Sequence, residues 1–244
     1  MMQRKIDLKG YLYRKFKEKK KRPSTRAGML LDSLKKNYPE SEFPKFVISP
    51  NTGLITLPRT TEINIKSVTY PLITPYAYAN IRYDEAENIL AYNVMEPTLS
   101  EFEENVFTKV KEGLVQIIDI SLTDIQKPGG IFEFLEKNIR RLLNEYNFKL
   151  TQKEYLKVMY YVYRDFVGLN KIEPLMNDPY VEDIGCDGMK VPIYVVHQRF
   201  GSLRTNIIYN NEEELREFVI KLAERADRYI SYAEPLLDGT LRDG

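Results

Sequence analysis

One cysteine, one histidine and no long apolar run set the outer limits on this chain. Cys186 alone cannot close an internal disulfide, which fits a reducing compartment. His197 and Cys186 together offer two metal ligands, too few for a zinc centre. No apolar stretch reaches the ~18 residues of a membrane-spanning helix. The N-terminus has no apolar core of signal-peptide length. These absences predict a cytosolic chain, or one peripheral on the cytosolic side of a membrane. The sequence also lacks G-x-x-x-x-G-K-[ST], the loop whose backbone N–H groups and lysine cradle phosphates. No serine or cysteine nucleophile has a base partner in a local motif. The expectation is a chain that does not turn over ATP by itself.

What is present begins with charge. The formal net charge of +1 hides an asymmetry. Residues 1–36 hold 13 Lys and Arg against 3 acidic residues, a surplus of +10, which leaves −9 for the remainder. Parts of opposite charge usually meet different partners. Residues 7–21, "DLKGYLYRKFKEKKK", place Leu8, Tyr11, Leu12 and Phe16 at helical spacing among lysines. The segment reads either as a solvated basic tail or as an amphipathic helix that orders on an anionic surface. Arg14, Lys15, Lys17, Lys19, Lys20, Lys21 and Arg22 would make that contact. Outside this one short segment, basic residues are not interleaved with base-stacking aromatics, which argues against nucleic acid as the partner.

With 244 residues and 43% hydrophobic content, the chain can build one large domain or two smaller ones. Five prolines between Pro44 and Pro75 predict extended chain with short edge strands such as "TEINIKSV". "YANIRYDEAENILAYNVMEP" reads as a β-hairpin turning around Asp84 to Asn88. A helix follows, with Leu99, Phe102, Val106, Phe107, Val110 and Leu114 apolar. Its capping box is Thr98 with Glu101 or Ser100 with Glu103. After the break at Lys127-Pro128-Gly129-Gly130 comes a second helix, using Leu135, Ile139, Leu142, Leu143 and Tyr146. Thr151 with Glu154 caps a third, which Gly168 ends.

From about residue 150 the pattern changes to β-β-β-α-β. "YVEDIGCD", "VPIYVVHQR" and "LRTNIIY" read as strands, the last two joined by a turn at Phe200-Gly201-Ser202. Asn211 with Glu214 caps a helix with Leu215, Phe218, Val219 and Leu222 inward, and "YISYAEP" returns as a strand. The predicted class is α+β, with a basic segment (1–36), a strand-then-helix domain (37–150) and a small α+β domain (151–244). His197 shares a strand face with Ile193, Val195 and Arg199, which fits a packed or surface histidine better than a catalytic base. Glu234, Asp238 and Asp243 cluster near the end and read as turn chemistry, since Asp238 and Asp243 each precede a glycine.

The last third carries a resemblance. Glu173-Pro174-Leu175, Asp178-Pro179, Glu182-Asp183-Ile184, Tyr194-Val195, His197, Gly201, Arg204-Thr205, Pro235, Asp238 and Asp243-Gly244 follow one another in the order and spacing of a family pattern. That stretch resembles the region just ahead of the ATPase core in the secretion ATPase superfamily, nearest to the archaeal motors of type II secretion, type IV pili and archaella. About 75 residues match tightly, residues 76–168 more loosely, and the first 75 little. Arg242 stands where the family usually has proline. The resemblance implies a hexameric motor in which a PAS-like domain packs over the nucleotide, and a further N-terminal domain docks to a polytopic membrane platform. It implies that the motif continues into a core that binds ATP and Mg, so that this stretch is non-catalytic. Its partners would be that core, neighbouring subunits, the platform protein and anionic lipid. Arg199 and Arg204 flank the hairpin turn and Arg242 sits in the last one. By position alone they read first as ordinary solvated charges; under the resemblance they become candidate contacts to nucleotide or core, since a guanidinium fork holds phosphate or carboxylate in a bidentate way. A stand-alone adaptor without a motor is the alternative.

Overall fold

The computed structural model of the chain describes residues 43–51, 53, 57, 67–120, 130–231 and 235–241. The basic segment, residues 61–66 of the expected edge strand and residues 127–129 of the expected break lie outside these. The fold is α+β. Two compact units divide the chain, each drawn from separated stretches: Met1–Phe46, Leu99–Val162 and Glu224–Gly244 in one, Val47–Thr98 and Tyr163–Ala223 in the other.

The first unit is helical: α1 (Glu101–Ile120), α2 (Gly130–Glu145) and α3 (Gln152–Val162). Of the two capping boxes open to the sequence, Ser100 with Glu103 forms. The Glu103 N–H donates to Ser100 Oγ at 3.3 Å, and the Ser100 N–H donates to the Glu103 carboxylate at 2.6 Å. Glu103 also pairs with Lys157 of α3 at 2.9 Å. It thereby takes the inward slot of the first turn, which leaves Phe102 44% exposed, its ring edge-on to Phe148. Below that turn Val106, Val110, Leu114 and Ile117 form the buried stripe. Leu135, Ile139, Leu142 and Leu143 of α2 are buried as the periodicity requires. The two helices approach so closely that a Cβ on Gly113 would lie 2.7 Å from Leu142 Cδ2. The Thr151–Glu154 box caps α3 as expected, with the Thr151 N–H donating to Glu154 at 2.7 Å. Tyr155 stacks on Phe43 at 4.3 Å.

The second unit is a seven-stranded sheet. Its strands are β1 (Ser49–Pro50), β2 (Ser67–Thr74), β3 (Ala77–Asp84), β4 (Ile89–Met95), β5 (Val181–Gly185), β6 (Pro192–His197) and β7 (Gly201–Ile208). Their order is β1-β2-β3-β4-β7-β6-β5. All neighbours are antiparallel except β4 and β7, which run parallel through Ala91↔Arg204 and Tyr92↔Thr205. The sheet therefore joins strands from both sides of Leu150. The short seam between β4 and β7 is extended by a side chain. Asn206 Nδ2 donates to the Val94 carbonyl at 3.0 Å and its Oδ1 accepts the Val94 N–H at 2.9 Å, so one amide imitates a peptide group. Short helical pieces cross this unit: a π turn (Tyr163–Val167), a 3₁₀ turn (Asn170–Ile172), α4 (Glu173–Met176) and α5 (Glu212–Arg225).

Several local expectations change. The β3–β4 hairpin is as read, with Asp84 Oδ1 accepting the Ala86 N–H at 3.1 Å and Asn88 at φ 56° closing the loop. The β6–β7 turn, however, is Gln198–Phe200, because Gly201 at φ +71° already pairs with His197. This is a three-residue loop closed by a left-handed glycine. Pro71 sits within β2, the second strand rather than an edge. Its carbonyl accepts Asn51 Nδ2 at 3.0 Å, so its missing N–H faces β1, which pairs only Ile73 and Thr74. Gly168 ends the helical run by allowing close approach, not by a left-handed conformation: a Cβ there would lie 2.6 Å from the Glu173 carboxyl carbon. On α5 the buried positions are Phe218, Lys221 and Ala223. Lys221 reaches the Asp165 carbonyl at 2.8 Å and Asn170 Oδ1 at 2.7 Å, which lets a lysine stand where Val219 or Leu222 was expected. The expected final strand is absent from its described part, since Tyr229–Ser231 follow a turn at Asp227 (φ 54°) and take no regular structure.

Candidate functional site

Two of the residues singled out in the sequence, Asp178 and His197, meet inside the sheet unit in a buried polar lattice. Asp178, which follows α4, is 5% exposed. Its Oδ2 accepts the hydroxyls of Tyr70 (β2) and Tyr92 (β4), both at 2.6 Å, and its Oδ1 accepts the Tyr180 N–H at 2.9 Å. His197 closes the lattice from β6. The Arg199 N–H donates to Nδ1 at 3.1 Å, so the ring proton of the neutral imidazole sits on Nε2 and points at the Tyr70 oxygen, 3.1 Å away. The histidine is 1% exposed, stacked on Tyr180 at 5.5 Å and tilted against Phe200 at 4.9 Å. Burial pushes its pKa below the ordinary value, against the opposing pull of Asp178. Burial, and then the Asp178 charge, push Tyr70 and Tyr92 upward. Each of these polar atoms is bonded within the lattice. Of the packed and surface readings of His197, the structure selects the packed one.

A second lattice surrounds Glu173, 6% exposed. Its carboxylate accepts the Leu169 N–H at 2.7 Å, the Tyr163 hydroxyl at 3.0 Å and Asn177 Nδ2 at 3.0 Å. Arg164 beside it donates to both Glu96 oxygens at 3.1 and 3.0 Å, tying the chain after β4 to the π turn. Sequence reading alone missed Tyr70 and Tyr92 as partners of Asp178. The one available signal was that β4 alternation turns Tyr92 inward with Val94, where a phenol needs an acceptor.

Arg204 projects from β7 and lies 3.6 Å from Asp84 and 3.6 Å from Glu87, the carboxylates of the β3–β4 turn. Arg199 is exposed at the β6–β7 turn and forms no ion pair among the described residues. Arg242 lies outside the described residues, as do Arg14, Lys15, Lys17, Lys19, Lys20, Lys21 and Arg22. Asp238 is exposed; Glu234 and Asp243 also fall outside. Among the described residues no three His, Cys, Asp or Glu side chains are grouped to hold a metal ion.

Similar chains occur in Methanocaldococcus jannaschii. One uncharacterized protein is 33% identical over 164 residues, covering 67% of this chain and 65% of its own length. A second is 32% identical over 236 residues, covering 88% of this chain and 40% of its own length. A third is 25% identical over 231 residues, covering 88% of this chain and 30% of its own length. No family model matches the chain. The chain thus spans less than two thirds of each of these relatives. Since 164 residues make up 65% of the first, that protein is about 250 residues long, whereas the other two are more than twice the length of this chain. Among the described residues no helix is long and apolar enough to cross a membrane.

Proposed function

We propose that this chain is the N-terminal, non-catalytic region of a hexameric secretion-superfamily ATPase. Such a motor powers protein secretion or the assembly of type IV pili or archaella. The region docks partners and passes nucleotide-driven motion between them and the core. The observation that carries the reading is the position of the matched residues. Glu173, Asp178, His197 and Thr205, which run in the family's order, are all buried and polar, and the first three hold the two lattices. A run of buried polar residues each with a specific partner is difficult to satisfy by chance. Their bonding supports a part in holding the fold, which is the part the proposal gives this region. Two relatives more than twice as long as this chain leave room for a core. ATP and Mg belong to that core, the partners are the core, neighbouring subunits and a membrane platform protein, and the basic segment seats the assembly at the cytosolic face of the membrane.

The test uses the longer protein in which this region is followed by a phosphate-binding loop. ATP turnover should fall on Arg204→Ala without loss of fold, and Arg204→Lys should not fully restore it, because a point charge lacks the fork. Wild-type turnover by both the Arg199→Ala and Arg204→Ala variants would show that coupling runs elsewhere. A longer protein with no ATP turnover would sink the motor reading. A second reading, a stand-alone adaptor, is favoured by the relative of about 250 residues, which has little room for a core.

A further inference from the structure

The two ends of the sheet are not equivalent. One ends in β1, two residues long, beside Pro71 and its missing N–H. The other ends in β5, five residues long, with β6 on one side and no strand on the other among the described residues. An uncovered strand is a template for another. Along β5 and just beyond it, Glu182, Asp183 and Asp187 are exposed and form no ion pair among the described residues. The Ile184 N–H donates to the adjacent Asp183 carboxylate at 2.9 Å, a bond an incoming carbonyl can replace. Gly185 pairs with Tyr194 and leaves a notch: a Cβ there would meet nothing nearer than the Tyr194 carbonyl at 4.0 Å. Tyr194, the β6 partner of Gly185, is 39% exposed, and Val196 on the same face of β6 is also 39% exposed.

We propose that the β5 edge is a strand-addition site for an extended, lysine- or arginine-bearing segment of a partner protein. The added strand presents a basic residue opposite Asp183. Two residues along the same face it presents an aromatic or branched apolar residue opposite Gly185, where the side chain covers the glycine and packs on Tyr194. Backbone hydrogen bonds supply the affinity, and the alternation of basic and apolar side chains supplies the selectivity. A second copy of β5 is the poorer occupant, because it brings two more carboxylates and no basic residue to the edge. The inference does not depend on the motor reading.

The probe is a short synthetic peptide of alternating lysine and valine with one central phenylalanine, added to the whole chain and followed by amide shifts and hydrogen exchange. Protection should appear at residues 182–186 and weaken with added salt. Asp183→Lys, an exposed change, should weaken binding by about ten-fold, since it turns a cross-strand attraction into a repulsion. Gly185→Val should weaken it by filling the notch. The same peptide with glutamate for lysine should not bind. Equal binding of the acidic peptide, protection that appears elsewhere, or no binding at millimolar peptide would overturn the proposal. So would a dimer of the chain, seen by sedimentation, that Asp183→Lys abolishes.

Discussion

Replacing Asp178 by alanine should destabilise the sheet unit by about 3–5 kcal/mol, and the cost arises at three buried donors. The carboxylate accepts the Tyr92 hydroxyl, the Tyr70 hydroxyl and the Tyr180 N–H. An orphaned buried donor costs about 1–3 kcal/mol. The loss of His197 support follows, since its Nε2–H rests on the Tyr70 oxygen. Tyr92→Phe alone should cost about 1.5–3 kcal/mol, the range for a hydrogen bond to a charged group. The sharper expectation concerns the double variant. Once Asp178 is alanine, Tyr92→Phe removes an orphaned hydroxyl and should be neutral or stabilising, so the two changes must be strongly non-additive. Urea unfolding followed by circular dichroism gives the energies, and amide exchange in β4 and β6 reports on the sheet unit alone. Additive effects, or a loss below about 1 kcal/mol for Asp178→Ala, would refute the claim that this carboxylate is the knot joining β2, β4 and β6.

The buried histidine makes a pH prediction. His197 titrates below its ordinary value when folded, and near 6.5 when unfolded, so the unfolded chain takes up the proton first as pH falls. Its contribution is present above about pH 6.5 and is lost as pH drops through the depressed folded value, with a slope of up to about 1.4 kcal/mol per pH unit. His197→Gln should flatten that slope in a Tm series, and an unchanged slope would contradict it. At the start of α1, Ser100→Ala should cost about 1 kcal/mol, and Glu103→Ala more because it also releases Lys157. Equal losses from Glu101→Ala and Glu103→Ala would show that the capping box is misassigned. Flotation with anionic liposomes should follow the basic segment: deleting residues 1–26 should abolish it, added salt should weaken it steeply, and the Tm of the rest should not move. Flotation indifferent to both salt and deletion would show that the segment is not a membrane contact.

Three kinds of feature are legible in the sequence by itself. Helices follow from period, as with Ile139, Leu142 and Leu143. Caps follow from short motifs, as with Thr151 and Glu154, and the β3–β4 hairpin follows from alternation around Asp84. Each is a property of residues within one turn or one strand of each other. Where two local solutions compete, the sequence leaves both standing: Ser100 with Glu103 prevails because Lys157, far along the chain, pairs with the Glu103 charge. The β6–β7 turn lies two residues earlier than expected for a related reason, since the Gly201 backbone serves the pairing with His197 rather than the tip. The candidate residues divide in the same way. Asp178 and His197 are visible as members of a pattern, but Tyr70 and Tyr92 are not visible as their partners. Residues 108 and 86 apart meet only because β4 lies beside β7. That adjacency is a parallel pairing across the whole helical stretch of the chain, and the alternation within either strand does not announce it. Side-chain alternation says which face is buried and is silent about which neighbour arrives. The neighbour is a matter of tertiary packing, in which buried Asp178 is bonded by both tyrosines and Asn206 ties β7 to β4.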